Sequence, residues 1–346
     1  MPRGAGRRPS MTDVGRLAGV SAQTVSRYFN DGYVSDEARE RVEAAVNELG
    51  YVRNRLPVQL RATQTNMIGV VLLGPLNYGN TSIMTGLYRA ARELGQTVMT
   101  THMAQDPADS EELMAQVLGE VDGFLSMRVD ALVLASPYPS LAAVAEHVGS
   151  ATAVVTIAEL DDDASDAVGG YSCDGARMVV EHLLALGHRR ILHVAGPLDR
   201  QQARARLRGY RDALAAAGAM PLPALEAEEW DARSGAQCAL RAPLEGFSAV
   251  FAGNDEIALG FMTGMARRGR RAPEDYIIAG FDDMPDARFL IPALTTARVD
   301  FEAVGEAGLV AAVARAGGRE ALRPRVRPEL VVRESTVGGA APSLRA

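Results

Sequence analysis

Apolar positions in the first fifty residues recur at helical spacing inside an otherwise polar stretch. Val14, Leu17 and Ala18 form one stripe, which predicts a helix from Met11, capped by Ser10 with Asp13 at its third position. Gly19-Val20 interrupts it. Ser21 then caps a second helix, roughly Ala22–Phe29, with Val25 turned inward. Ser35 caps a third helix over Asp36–Leu49, whose buried face is Val42, Val46 and Leu49, and Gly50 ends it in the left-handed conformation. Helix, short glycine-containing turn, helix is a helix-turn-helix.

A linker, VRNRLPVQLRATQTN (52–66), follows. From Met67 the pattern changes to continuous apolar strands between amphipathic helices. Strands are expected at MIGVVLL, Thr97–Thr101, Ala131–Ala135 and Ala153–Ile157. Helices are expected at Ile83–Leu94, from Glu111 past Leu118, and at Leu141–His147. The same grammar restarts after Asp174. Helices over Ala176–Leu186, Ala203–Ala217 and Ile257–Arg268 alternate there with strands Ile191–Ala195, Ala249–Ala252 and Ile277–Gly280. Such strands belong to parallel sheets covered on both faces, so the expected class is α/β, with a helical head and a two-lobed body. Two lobes imply a cleft, and ligands in such folds sit at the carboxyl ends of strands.

The chain of 346 residues is long enough for more than one core, and its 47% hydrophobic and 23% charged residues are globular values. It has no run of 18 apolar residues and no apolar stretch behind its first Met, so neither a membrane span nor a secretory signal is expected. Cys173 and Cys238 have no metal spacing and define no disulfide framework; a reducing cytoplasm is the expected location. Every basic residue is Arg, and charge is uneven. Residues 1–61 carry ten Arg against seven acids, leaving −10 of the net −7 on the rest. A small basic head on an acidic body fits local contact with a polyanion.

Candidate chemistry lies in two places. The second helix is short enough to enter a major groove, where Gln23 pairs with adenine and Arg27 with guanine; Thr24, Ser26 and Asn30 suit phosphates or capping. Its competing reading is a three-helix protein-interaction domain. In the cleft, Arg206 follows a strand end and can hold two oxygens of a polyol, or else pair on the helix surface. Asp282 follows strand Ile277–Gly280 and can accept adjacent hydroxyls, with Asp283 capping or bracing beside it. Asn254 can bind ligand or cap the next helix, a job for which Asp255 competes. Trp230, the only Trp, can stack on a sugar ring or anchor a helix. Tyr78 and Tyr138 sit in strand-end loops of the first lobe and can close over a ring. The five His form no H-E-x-x-H, and there is no G-x-S-x-G or phosphate-binding glycine loop; DDDASD (161–166) is a polar crossing loop sooner than a metal patch. No catalysis, cofactor or metal is expected.

These motifs together identify the chain by resemblance as a member of the lactose/galactose repressor family of bacterial transcription regulators. Asp13-Val14-Gly15, Ala18-Gly19-Val20-Ser21 and Thr24-Val25-Ser26-Arg27 match the family's head, with Gly15 for the usual Ala, a change that softens the first helix. Gly187-His188-Arg189-Arg190-Ile191, Arg206-x-x-Gly209-Tyr210, Asn254-Asp255, Gly280-Phe281-Asp282-Asp283 and Pro292-Ala293-Leu294-Thr295-Thr296 match its body, which resembles periplasmic sugar-binding proteins. The resemblance implies a basic tail (1–9), a DNA-binding head (10–51) containing Ser21, a hinge (52–66), an effector-binding and dimerisation body (67–336) and a tail (337–346). It implies base reading by Ala22, Gln23 and Arg27, a DNA contact from Tyr33, a hinge helix starting at Asn54, and minor-groove wedging by Leu60. Pro57 and Val58 depart from the family's hinge. Lobe crossings are implied near 158–175, near 282–297 and in the C-terminal segment.

The resemblance also favours Trp230 and Phe301 as cleft-lining aromatics. Val299 replaces a polar residue, and the Ser136–Pro139 loop lacks the aligned acid, so a galactoside or another mono- or disaccharide remains open. The implied protein is a cytoplasmic homodimer without a leucine-heptad tail. It represses from a palindromic double-stranded operator until a small sugar releases it. The alternatives are a corepressor-dependent regulator and a secreted sugar-transport protein, which would need no head.

Overall fold

The computed structural model describes residues 9–30, 32–52, 64–138, 141–150, 152–160, 167–320 and 325–337. The chain divides into two compact units, Met1–Thr65 and Asn66–Ala346. The hinge positions Asn54, Pro57, Val58 and Leu60 lie outside the described residues, as does the 161–166 loop.

In the first unit, α1 (Met11–Ala18), α2 (Ala22–Phe29) and α3 (Asp36–Leu49) enclose Val14, Ala18, Val25, Val42, Ala45 and Tyr51. Ser10 and Asp13 form a reciprocal capping box: the Asp13 carboxylate accepts from the Ser10 N–H at 2.9 Å, and the Asp13 N–H donates to Ser10 Oγ at 3.3 Å. Gly19, at φ 65°, turns the chain from α1 towards α2. Three expectations change. Leu17 is 45% exposed, and Gly15 takes the inward place because a Cβ there would lie 2.8 Å from the Val20 carbonyl oxygen. The inner face of α3 is Ala38, Val42 and Ala45, with Val46 and Leu49 half-buried. Ser35 stands at the cap of α3 without a side-chain cap bond.

The second unit has two lobes. The first contains β1 (Met67–Leu73), α4 (Tyr78–Glu93), β2 (Thr97–Met103), α5 (Glu111–Ser126), β3 (Ala131–Ala135), α6 (Leu141–Val148) and β4 (Ala153–Ile157). Its sheet is parallel, in the order β2-β1-β3-β4. The second lobe contains α7 (Ser172–Ala185), β5 (Ile191–Ala195), α8 (Gln201–Ala216), β6 (Leu225–Glu226), α9 (Ala232–Arg241), β7 (Ala249–Ala252), α10 (Asp255–Arg267), β8 (Ile277–Asp282) and β9 (Thr295–Arg298). The chain then returns to the first lobe as α11 (Phe301–Ala316). It finally adds β10 (Glu329–Val331) and α12 (Glu334–Val337) to the second. The six strands run β10-β9-β8-β7-β5-β6, and β10 is antiparallel to β9, so the expected all-parallel sheet is mixed at that edge. The 282–297 segment stays in the second lobe, because β9 pairs with β8 from Thr295 to Arg298. The second crossing is therefore at Val299-Asp300.

The α4–α11 contact positions one wall of the cleft. A Cβ on Gly86 would lie 1.9 Å from the Glu302 carbonyl oxygen, and one on Gly305 would lie 1.9 Å from that of Ile83. The helices meet backbone to backbone, and Arg89 ties them further through Glu302 at 2.5 Å and Glu306 at 3.3 Å. Their first turns emerge together, with the Tyr78 and Phe301 rings edge to face at 6.1 Å.

Replacing Gly305 by Leu should therefore destabilise the body by about 1–3 kcal/mol or more, through forced separation of the two helices. Gly119 of α5, where a Cβ would meet nothing within 4 Å, is the contrast. Gly119→Ala should stabilise by about 0.5–1 kcal/mol. Urea unfolding of both variants checks the pair.

Candidate functional site

Arg206 stands in α8 and points its guanidinium into the join between the lobes. It is 5% exposed. Its Nη2 donates to Asp282 Oδ1 at 2.9 Å, and its Nη1 donates to the Gly253 carbonyl. Its central carbon lies 3.8 Å from the Phe281 ring centroid and 5.1 Å from that of Trp230. Asp282 ends β8 with φ 101°, a conformation a non-glycine residue adopts only when its surroundings enforce it. Burial raises the Asp282 carboxyl above its ordinary value, and Arg206 opposes that rise by charge and hydrogen bond. Next to it, Asp283 is clamped by Arg298 at 2.7 Å and Arg333 at 2.6 Å, so it braces strands of the second lobe where a cap or a brace of the lobe crossing was expected.

Trp230 sits in the turn before α9, packed so closely over Gly196 that a Cβ there would lie 2.3 Å from the indole. Its carbonyl accepts from Asn254 Nδ2 at 3.2 Å. A small space of about 70 Å³ opens between the lobes, bordered by Arg206, Asp282, Trp230 and Phe301 together with Asn80 and Gln202. A charged pair with aromatic flanks offers hydroxyl partners and an apolar stacking surface in one place.

Two expectations are corrected. Asn254 does not border this space: its Oδ1 caps α10 by accepting from the Ile257 N–H at 2.8 Å, and its Nδ2 holds Trp230. Tyr138 is also elsewhere. It is 1% exposed, donates its hydroxyl to the Ala104 carbonyl at 2.7 Å, and carries the Arg200 guanidinium 4.4 Å above its ring. Burial pushes its phenol up to about 12. Tyr78 does not border this space but packs on Phe301, which does; its phenol is raised first by burial, with Asp282 and Asp283 adding to the rise. Asn80 and Gln202 were not among the sequence candidates. Gln202 lies one helical turn before Arg206, an i, i+4 spacing that could have signalled it.

On the head, Ser21, Ala22, Gln23 and Arg27 of the α2 region are exposed, Thr24 and Ser26 are half-buried, and Val25 is buried. Ser21 Oγ caps α2 by accepting from the Thr24 N–H at 3.1 Å, and Asn30 Nδ2 donates to the Ser26 carbonyl at 2.8 Å. Ser21 and Asn30 thus hold the two ends of the helix, while Gln23 and Arg27 share one outward face an i, i+4 step apart. Tyr33 is 90% exposed. Among the described residues, no group of three or more His, Cys, Asp or Glu could hold a metal ion.

Beneath the strained turn, Asp255 accepts from the Met284 N–H at 2.8 Å and from the Thr296 hydroxyl at 2.6 Å. Burial is the main cause that raises its carboxyl well above the ordinary value. The folded state therefore binds this proton more tightly than the unfolded chain. Its stabilisation is full below the unfolded value of about 3.9 and is lost as pH rises through the folded one. Asp255→Asn, which can keep both contacts, should flatten the fall in melting temperature across that window and gain on the wild type as pH rises; thermal melts from pH 4 to 8 check this.

The comparisons with known proteins agree with this geometry. Residues 10–54 match the family model for bacterial regulatory proteins of the lacI family, and residues 180–336 match that for a periplasmic binding protein-like domain. The chain is 32% identical to the lactose operon repressor of Escherichia coli (strain K12) over 335 residues, covering 94% of this chain and 90% of that protein. It is 32% identical to the ribose operon repressor of the same strain over 305 residues, covering 86% and 90%. The crystal structure of the lac repressor dimer bound to operator and the anti-inducer ONPF is 31% identical, covers 96% of this chain and 100% of that one, and superposes with a TM-score of 0.86. The chain belongs to the lacI family of bacterial regulatory proteins.

Proposed function

We propose that the chain is a cytoplasmic, homodimeric transcriptional repressor that holds a pseudo-palindromic operator until a small sugar enters its cleft. The observation that carries this reading is the buried Arg206–Asp282 pair flanked by Trp230 and Phe301, on a chain that also bears a helix-turn-helix. The pair offers a fork of donors and a carboxylate acceptor to vicinal hydroxyls, and the aromatic faces match the apolar face of a sugar ring. Arg206 Nε is buried and has no hydrogen-bond partner among the described residues.

In the head, Gln23, Arg27 and Ala22 read base edges, with Ser21, Thr24, Ser26, Asn30 and Tyr33 serving the backbone and the shape of α2. Asn54 and Leu60 serve the hinge at the minor groove. Phosphate contacts make binding fall steeply with salt. Tyr88 and Leu94 are exposed, at 45% and 44%, on and just beyond α4, the helix against which a second copy would pack. Among the described residues no helix is long and apolar enough to cross a membrane. The chain acts as a regulator, not as an enzyme.

Footprinting on fragments around its own gene, at fixed salt with a sugar panel, tests the reading. A palindromic footprint released by one sugar is expected. Specific binding untouched by every sugar removes the ligand class, and tightening by a sugar makes it a corepressor. Arg27→Ala or Gln23→Ala should weaken operator binding by about 1–3 kcal/mol and relax specificity at one base position. Asp282→Asn should weaken the sugar about tenfold or more, from loss of charge-assisted acceptors. Gel-shift titrations with and without sugar measure both.

A further inference from the structure

Two contacts that are not part of the chain crossings join the lobes. The Gln201 N–H donates to the Pro137 carbonyl at 2.9 Å, and the central carbon of the Arg200 guanidinium lies over the Tyr138 ring, 4.4 Å from its centroid. Pro137 and Tyr138 follow β3 in the first lobe; Arg200 and Gln201 are the cap and first residue of α8 in the second. Each side is anchored in its own lobe. Tyr138 is buried; its N–H donates to Ser136 Oγ at 2.9 Å and its hydroxyl to the Ala104 carbonyl at 2.7 Å. Pro137 packs on Gly74 beyond β1, where a Cβ would lie 2.7 Å from the proline Cγ.

Arg200 is itself buried, and it meets Asp199 at 3.2 Å and Glu229 at 3.7 Å. Those carboxylates are half-exposed or more, and pairing with them alone needs no burial. A guanidinium taken out of water is costly unless other groups replace the water, and an aromatic face against it supplies part of that replacement. The replacement here comes from the opposite lobe. Glu229 adjoins Trp230, so the same guanidinium also ties the Trp230 turn to the start of α8. Every group in this set belongs to the protein, and the arrangement of the lobes holds itself. The space that Pro137 and Gln202 help to line is about 70 Å³, while a single water takes roughly 10–15 Å³.

We propose that Arg200 is a latch between the lobes: stacked on Tyr138, it holds the cleft narrow in the operator-binding arrangement, and a ligand enters as this contact opens. This rests on the reading of the chain as a repressor released through its cleft. Loss of the latch populates the open arrangement with no ligand added. Apparent affinity for a ligand is reduced by the fraction of molecules able to bind it, so a larger open fraction tightens the ligand while it weakens the operator.

The test uses the full-length protein, and its first arm needs no ligand. Trp230, the only Trp, is buried at the border of the cleft, so quenching of its emission by acrylamide reports opening. A desolvated cation–π contact moves an equilibrium by about 3- to 30-fold, so Arg200→Ala should raise the quenching constant about twofold or more. Tyr138→Leu, in the lobe that does not carry Trp230, should do the same, and the double variant no more than either single one. Tyr138→Phe keeps the ring and drops the bond to Ala104; it should quench as the wild type does, which separates the latch from damage to the first lobe. In gel shifts Arg200→Ala should weaken operator binding about 3- to 30-fold, the same factor of the lost contact, and a sugar that releases the wild type should release the variant at lower concentration. A fold that is merely weakened loses affinity for both. If Arg200→Ala exposes Trp230 and Tyr138→Leu does not, Arg200 acts within its own lobe through Glu229 and the latch is refuted; it is refuted equally if neither variant changes the quenching. If both expose Trp230 while operator binding is unchanged or tighter, the narrow arrangement is not the operator-binding one and the proposal falls. A wild type that binds no operator sinks the repressor reading, whereas the quenching arm still decides whether Arg200 holds the lobes.

Discussion

The Arg206 guanidinium is enclosed by Phe281, Trp230, the Gly253 carbonyl and the Asp282 carboxylate, which come from three separate parts of the second lobe. Phe281 and Asp282 end β8, Gly253 follows β7, Trp230 precedes α9, and Arg206 itself is carried by α8. Removing either member of a buried pair strands a charge, while an apolar replacement of both is often neutral. The pair's value is thus positional more than energetic. It holds Asp282 at φ 101° and presents a donor fork and a carboxylate to the space between the lobes. Asp283 with its two Arg partners and Asp255 with Thr296 and Met284 support the same turn from outside and below.

The lobes touch directly at the rim of this cleft. The Gln201 N–H donates to the Pro137 carbonyl at 2.9 Å, and Arg200 lies over Tyr138. Both contacts belong to the cap and first residue of α8, five and six residues from Arg206. A ligand on Arg206 therefore acts beside the place where the lobes meet. It shifts their arrangement only to the extent that it binds one arrangement better than another.

Much of the fold was legible because continuous apolar runs have one stable use, as strands buried on both faces. The expected bounds Ala131–Ala135, Ala153–Ile157, Ile191–Ala195 and Ala249–Ala252 are those of β3, β4, β5 and β7. Helix starts were less legible. α4, α7, α8 and α10 begin two to five residues before the apolar pattern does, because their first turns, such as YGNTS and QQ, are polar. In α4 and α8 those turns face the cleft, so Asn80 and Gln202 escaped notice for the same reason. Arg206 and Asp282 were found because each follows a strand end, and Trp230 because it is the only Trp and the family resemblance favours its position. Asn254 and Tyr138 satisfied the same strand-end rule and yet are spent elsewhere: Asn254 on the helix cap that the sequence offered as its alternative, Tyr138 on a backbone carbonyl, a commitment that no spacing reveals. α11 is apolar on nearly every side, wedged between α4 and the first sheet, and so carries no amphipathic signature.

Coupling between cleft and head must be reciprocal: a sugar that weakens operator binding is itself weakened by the operator, by the same factor. The direct measurement is the sugar's Kd, read from Trp230 emission, in the absence and presence of saturating operator duplex. A Kd raised about 5- to 150-fold by the operator is the expected result. A Kd unchanged or lowered by the operator contradicts release of the repressor through this cleft.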